Sequence, residues 1–177
     1  LESWDAKSII ILHACCHDPT GVDPTLEQWQ EILEIVKTRN LIPFLDIAYQ
    51  GFGAGLNEDA QVVRLFADAG VEIFVSSSFS KSFSLYGERV GALTLTTKTQ
   101  DLAEKVLSQV RTVIRTNYSN PPTHGATIVA AVLNSPELFK LWEDELSAMR
   151  VRIQSMREQL VANIKAAGVE QDFSFVL

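Results

Sequence analysis

The sequence predicts an α/β fold: a mostly parallel sheet covered by helices, followed by one long helix that leaves the domain. Three observations carry this. Short apolar, β-branched runs recur at 8–14, 41–48 and 71–76, each the length of a buried strand. The stretches between them hold apolar residues at helical spacing, and a strand followed by a helix and another strand implies parallel pairing with both faces of the sheet covered. Finally, residues 136–167 form a single helical run capped by Ser135, with Pro136 in first position and Gly168 at its end.

In chain order, the first strand is Ser8-Ile9-Ile10-Ile11-Leu12-His13-Ala14, ended by the turn Cys16-His17-Asp18-Pro19-Thr20-Gly21. A helix then starts at an Asp23 cap with Pro24 in its first position, and Leu26, Trp29, Ile32, Leu33 and Val36 form its apolar face. The second strand spans 41–48. The glycine-rich loop Gly51-Phe52-Gly53-Ala54-Gly55 leads to a helix over 58–69, closed by Gly70. The third strand passes abruptly from apolar residues into Ser76-Ser77-Ser78-Phe79-Ser80-Lys81, and 90–96 is a fourth strand. Helices over 101–115 and 123–133 flank Pro121-Pro122, which interrupts them.

At 1.5 Å per residue the last helix is roughly 48 Å long. Trp142, Leu146, Met149, Ile153, Met156 and Leu160 recur along it at alternating four- and three-residue steps. It serves either as a coiled-coil dimer helix or as the connection to a second domain, so residues 1–134 are assigned to one domain and 135–177 to the connection. Phe173-Ser174-Phe175-Val176-Leu177 has the pattern of an opening strand, and with no initiator methionine the chain is expected to be an internal piece of a longer one.

The 177 residues suffice for a core, and a net charge of −7 without any basic run disfavours nucleic-acid binding. No apolar run approaches membrane-spanning length and no secretory signal is present. Cys15 and Cys16 are adjacent, which fits neither a disulfide framework nor a CxxC site, and His13, His17 and His124 lack metal-ligand spacing. Reduced thiols in a cytoplasmic protein without a metal centre are expected.

The chemistry concentrates at strand ends. Lys81 follows several small hydroxyl residues, and Phe79, Phe83 and Leu85 around it favour the neutral amine, a nucleophile able to form a Schiff base with a carbonyl. Arg89 adds a planar fork suited to a phosphate, so this stretch suits a phosphorylated aldehyde; the plainer alternative is a solvated lysine in a polar loop. Asp46 sits inside Pro43-Phe44-Leu45-Asp46-Ile47-Ala48, where a carboxylate needs a cationic partner. A protonated pyridine nitrogen meets that need, and so does an internal lysine or arginine. Tyr49 reaches the same region or is simply a core tyrosine. Asp18 ends the first strand as Lys81 ends the third, so both lie at the edge where open α/β sheets bind ligands. The glycine loop has GxGxG rather than GxGxxG spacing, a poor dinucleotide signal.

His13-Ala14-Cys15-Cys16-His17-Asp18-Pro19-Thr20-Gly21, Asp46-Ile47-Ala48-Tyr49, Ser80-Lys81, Tyr86-Gly87-Glu88-Arg89-Val90-Gly91 and Asn117-Tyr118-Ser119-Asn120-Pro121-Pro122 together resemble the aspartate and aromatic-amino-acid aminotransferases. These are pyridoxal-phosphate enzymes of fold type I, and the likeness covers essentially the whole chain. The resemblance implies the second half of their large domain, the helix towards the small domain, and a homodimer acting on an amino acid and a 2-oxo acid. It implies that Lys81 holds pyridoxal 5'-phosphate covalently and moves the substrate proton. Asp46 then meets the pyridine nitrogen, Tyr49 the ring phenolate, and Ser78, Ser80 and Arg89 the phosphate. Arg115 would bind a distal substrate carboxylate across the dimer interface; without the likeness it is an ordinary cation at a helix C-terminus. The family usually carries asparagine at the position of Asp18, where an amide donates to the phenolate; an aspartate replaces that donor with an acceptor. The family's phosphate loop, ring-stacking aromatic residue and arginine for the α-carboxylate match nothing in these residues, so the resemblance implies that activity belongs to the longer parent. The competing functions are another pyridoxal-phosphate lyase or decarboxylase, disfavoured by Arg115, and a non-catalytic nucleotide- or flavin-binding module.

Overall fold

The structure is a computed structural model and describes residues 1 and 3–177. Four strands, β1 (Ile9–His13), β2 (Ile42–Ile47), β3 (Phe74–Ser78) and β4 (Gly91–Leu95), lie side by side in that order. The first three are parallel and β4 runs antiparallel to β3. The connection from β3 to β4 contains no crossover helix, and a strand that returns directly lies antiparallel to the one before it.

Helix α1 (Leu26–Arg39) starts two residues later than expected. Its cap is Thr25, paired with Gln28 in a capping box. The Asp23 carboxylate instead accepts the backbone N–H groups of Cys16 and His17, at 2.6 and 2.8 Å, and so ties down the turn after β1. The single helix expected over 58–69 is two pieces, α2 (Leu56–Asp59) and α3 (Gln61–Asp68), broken at Ala60 where the Asp59 side chain turns back towards the glycine loop. β3 begins three residues late because the Thr96 side chain takes over there: its hydroxyl accepts from Ile73 N–H and donates to the Val71 carbonyl.

Both parallel crossovers step the same way across the sheet, and right-handed crossovers of that kind put their helices on one face. Trp29, Leu33 and Val36 of α1, with Val62 and Phe66 of α3, accordingly pack on Ile10, Leu45 and Val75. Phe66 and Leu45 are fully buried, and Trp29 meets Phe66 edge-on at 6.2 Å. The opposite face is not sealed by this chain: Ile9 and Ile11 are 59% and 69% exposed, and Leu93 of β4 is exposed too. The expectation that helices cover both faces therefore holds for one face within these residues.

Helices α4 (Gln100–Asn117), α5 (His124–Leu133) and α6 (Pro136–Ala166) follow. α6 has Ser135 as its cap and Pro136 in its first turn. Its apolar seam divides into two halves. Leu146 is buried and Trp142 partly so, whereas Met149, Ile153, Met156 and Leu160 are exposed. The segment expected to open a strand near the end forms a short 3-10 turn, Ser174–Val176, with Ser174 tied to Asp172. Asp172 and Ser174 satisfy each other locally, and the segment is not one of the sheet's four strands. No described helix is long and apolar enough to cross a membrane.

Candidate active site at the carboxyl ends of the strands

Register brings His13, Asp46 and Ser76 abreast on the three parallel strands. Alternation puts them on the unsealed face, opposite Leu45 and Val75. The Ser76 hydroxyl donates to one Asp46 oxygen at 2.5 Å. The His13 Nε2 lies 3.9 Å from the other oxygen. On its far side the His13 Nδ1 accepts the Asp18 backbone N–H at 3.0 Å, which leaves the ring proton on Nε2, facing Asp46. Among the described residues no lysine or arginine pairs with Asp46, so the internal ion-pair alternative has no partner in this chain. A half-exposed carboxylate held by the Ser76 hydroxyl, with the His13 imidazole nearby and free of a protein cation, suits an external cationic nitrogen.

Lys81 sits in the loop after β3, in a turn closed by Phe83 N–H to the Phe79 carbonyl and Ser84 N–H to the Lys81 carbonyl. Ser80 and Ser82 on either side are buried, and the Lys81 amine lies 4.7 Å from the centre of the Tyr49 ring. The Tyr49 hydroxyl donates to the Asp18 carboxylate at 3.4 Å. Lys81, Tyr49 and Asp18 thus share one cleft of about 530 Å³, with Phe52, Ile153 and Arg157 on its walls.

The remaining expected residues stand outside that cleft. The Ser78 hydroxyl accepts the Ser80 N–H at 3.2 Å and lines a neighbouring cavity with Phe83 and Trp142. Arg89 has a left-handed backbone, φ +51°, and is exposed; its guanidinium donates to the Tyr86 carbonyl and meets no described carboxylate. Arg115 is exposed in the last turn of α4 and donates to the Ser119 hydroxyl, on a hollow with Arg111 away from Lys81.

Two features gain a structural role. Asp59 is buried, and its oxygens accept four backbone N–H groups, from Gly51, Gly53, Ala54 and Gly55. The amides that a nucleotide phosphate would need are thereby consumed inside the protein, against the nucleotide-module alternative. Cys15, Cys16 and Asp59 place their ligand atoms within 4.8 Å of one another, but the carboxylate is fully engaged by the loop. A hydrogen bond with Cys16, then burial, pushes the Cys15 thiol far up; the same bond moves Cys16 down.

Sequence reasoning missed His13, Ser76 and Asp59 as organisers. For His13 and Ser76 the signal was available, since each is polar, lies near a strand's end and shares a face with Asp46. For Asp59 only the run of close-packed glycines ahead of it hinted at a side chain folded back.

The model of the family described as "Aminotransferase class I and II" matches residues 1–176. The aspartate aminotransferase of Pseudomonas aeruginosa is 61% identical over 176 residues, covering 99% of this chain and 44% of that protein. The aromatic-amino-acid aminotransferase of Escherichia coli is 51% identical over 177 residues, covering 100% of this chain and 45% of that protein. Among solved structures, the aromatic-amino-acid aminotransferase of Burkholderia pseudomallei, covalently bound to pyridoxal phosphate, superposes with a TM-score of 0.98 at 62% identity, over 99% of this chain and 44% of that one. The chain thus spans less than half the length of the relatives it matches. With the strand order, the lysine loop and this agreement along its whole length, the chain belongs to the class I and II aminotransferase family.

Proposed function

We propose that this chain is the lysine-bearing part of a transaminase that moves an amino group between an amino acid, aspartate or aromatic, and a 2-oxo acid with pyridoxal 5'-phosphate. The observation that carries this is the pairing of an amine and an unpartnered carboxylate at one sheet edge: Lys81 beside the Tyr49 ring, and Asp46 held by Ser76 without a protein cation.

The residues beside the Lys81 amine fit that cofactor, while Ser78 and Arg89, outside that cleft, are assigned on the family likeness. Lys81 would hold it covalently, Asp46 would face the ring nitrogen, Tyr49 and Asp18 the phenolic oxygen, and Ser78, Ser80 and Arg89 the phosphate. When bound, it supplies an aldehyde and an electron-withdrawing ring. The work of the chain is then to orient and to move a proton. Lys81 Nζ, freed from the cofactor when the substrate's amine takes its place, would accept the proton from the substrate's Cα and carry it to the former aldehyde carbon, two atoms away. The Ser76 hydroxyl, with the His13 imidazole beside it, keeps Asp46 aimed. Arg115, remote from the Lys81 cleft, serves the site of a second copy, where its fork binds a distal carboxylate. We accordingly assign a homodimer, with residues 1–134 in the cofactor-binding domain and 135–177 leading to a second. We also assign a cytoplasmic location, as the name of the rice relative "Aspartate aminotransferase, cytoplasmic" gives for that protein.

The test is borohydride reduction of the full-length protein followed by peptide mass measurement, with Lys81→Ala beside it. Fixation of the cofactor on Lys81 is expected, together with a loss of turnover in the variant beyond the ~10²–10⁴-fold of a proton-transfer group. Near-normal turnover in Lys81→Ala would refute the assignment.

A further inference from the structure

One stripe of α6 touches both loops of the site. Trp142 comes from sixty residues beyond the lysine loop, yet its indole N–H donates to the Ser82 carbonyl at 2.7 Å. Its ring stacks on Phe83, with centroids 4.4 Å apart and planes 24° apart. Phe83 in turn meets Phe79 edge-on at 5.5 Å, so the residues on both sides of Lys81 are gripped by one aromatic chain. One turn on, Leu146 fills the space beside Gly51, whose φ is +93°; a Cβ there would stand 2.3 Å from a Leu146 methyl. Another turn on, the Arg150 guanidinium donates to the Gly51 carbonyl at 2.7 Å, and Gln154 reaches the Gly53 carbonyl at 3.5 Å. Residues 142, 146, 150 and 154 are four apart and share one helix face. The loop they hold at 51–53 begins immediately after Tyr49 and Gln50.

We propose that Trp142 is a positioning residue for Lys81, and that the 142–146–150 stripe of α6 sets the separation between the Lys81 amine and Tyr49. The loop's own bonds, Phe79 N–H to the Val90 carbonyl, Ser80 N–H to the Ser78 hydroxyl and the two turn bonds of 3.1 and 3.3 Å, leave the Ser82 carbonyl unheld, and Ser84 is left-handed. Ser82 is only 8% exposed, and its carbonyl has Trp142 as partner. Without that N–H, the loop must turn the carbonyl elsewhere, and Lys81, one residue away, moves with it. A helix that grips the lysine loop at one turn and the tyrosine loop two turns later ties two separate loops to one fixed distance. This inference rests on Lys81 being the reacting amine, as proposed above.

The experiment compares Trp142→Phe, which keeps an aromatic face for Phe83 but loses the N–H, with the unaltered full-length protein. Three quantities are read: the pH midpoint of the cofactor's visible absorbance, kcat and KM separately, and the rate at which formaldehyde with cyanoborohydride methylates Lys81 in cofactor-free protein. A displaced midpoint, a changed methylation rate and a kcat lowered about 10-fold with KM nearly constant are expected, the scale of a small misplacement of a reacting group. Should Trp142→Phe not fold, Arg150→Met removes the other grip, and a shift in the same direction is expected. If kcat, midpoint and methylation all stay put while only the unfolding midpoint falls, Trp142 is a packing residue and the proposal is overturned. A wild-type protein without a Lys81-dependent absorbance band would refute the functional assignment instead, which separates the two failures.

Discussion

The two faces of the sheet use the same strands to opposite ends. Ile10, Leu45 and Val75 point to α1 and α3 and form a core from which water is excluded. One residue along each strand, Ile11, Asp46 and Ser76 point the other way, and there the surface is open, with a polar cluster at its carboxyl end. Strand periodicity alone makes this division, because alternate side chains belong to different environments. The sealed face accounts for stability and the open face for chemistry. A carboxylate such as Asp46 is tolerated because its side is half-exposed and its oxygens have two protein donors nearby; on the Leu45 side it would have neither.

This contrast is sharpest where the sealed face is tightest. Phe66→Ala removes a fully buried ring that packs on Trp29 and should lower stability by about 3–5 kcal/mol. Urea unfolding followed by circular dichroism measures it. A cost below ~1 kcal/mol would show that α3 is not part of the core that holds the sheet.

Adjacent residues in β1 give the next test. Ile10→Ala should cost about 2–5 kcal/mol and Ile11→Ala no more than about 0.5 kcal/mol in this 177-residue chain. Equal losses would mean that the two faces are equally packed. In a longer protein whose additional segments cover the Ile11 side, the second value should rise towards the first, so the pair also reports what lies on that face.

The smallest effect is expected at the open edge. Asp18→Asn in the cofactor-loaded full-length protein should lower the pH midpoint of the visible absorbance by no more than about one unit, equivalent to about 1.4 kcal/mol. The sign follows from charge. A carboxylate beside the Tyr49 hydroxyl favours a protonated, cationic neighbour, and replacing it with an amide removes that support while adding a donor for a phenolic anion. A rise on substitution would place Asp18 away from the ring.

Much of this was legible in the sequence, for identifiable reasons. Strands and helices showed as apolar period, and the Ser135 cap with Pro136 fixed the start of α6 to the residue. Lys81, Asp46 and Asp18 were singled out as candidates because polar groups at the ends of apolar strands are conspicuous. Local competition was harder to see. Asp23, Thr25 and Ser135 are all good caps, but Asp23 is taken by the amides of Cys16 and His17, a contact that depends on how the turn after β1 closes. The glycine loop could be classed as a poor dinucleotide motif from spacing, while its actual partner, Asp59, became apparent only once the chain folded back on itself.

The sequence by itself therefore determined the order of elements, the parallel pairing of the first three strands and the residue types at the sheet's carboxyl edge, because these depend on period, caps and chain reversal over short spans. Tertiary structure alone decided which face α1 and α3 would seal, and that α6 would set its Trp142, Leu146 and Arg150 against two loops far away in sequence. Those outcomes depend on crossover handedness and on contacts between residues sixty to a hundred positions apart. No local pattern encodes such contacts, since each partner finds its place only when the whole sheet has formed.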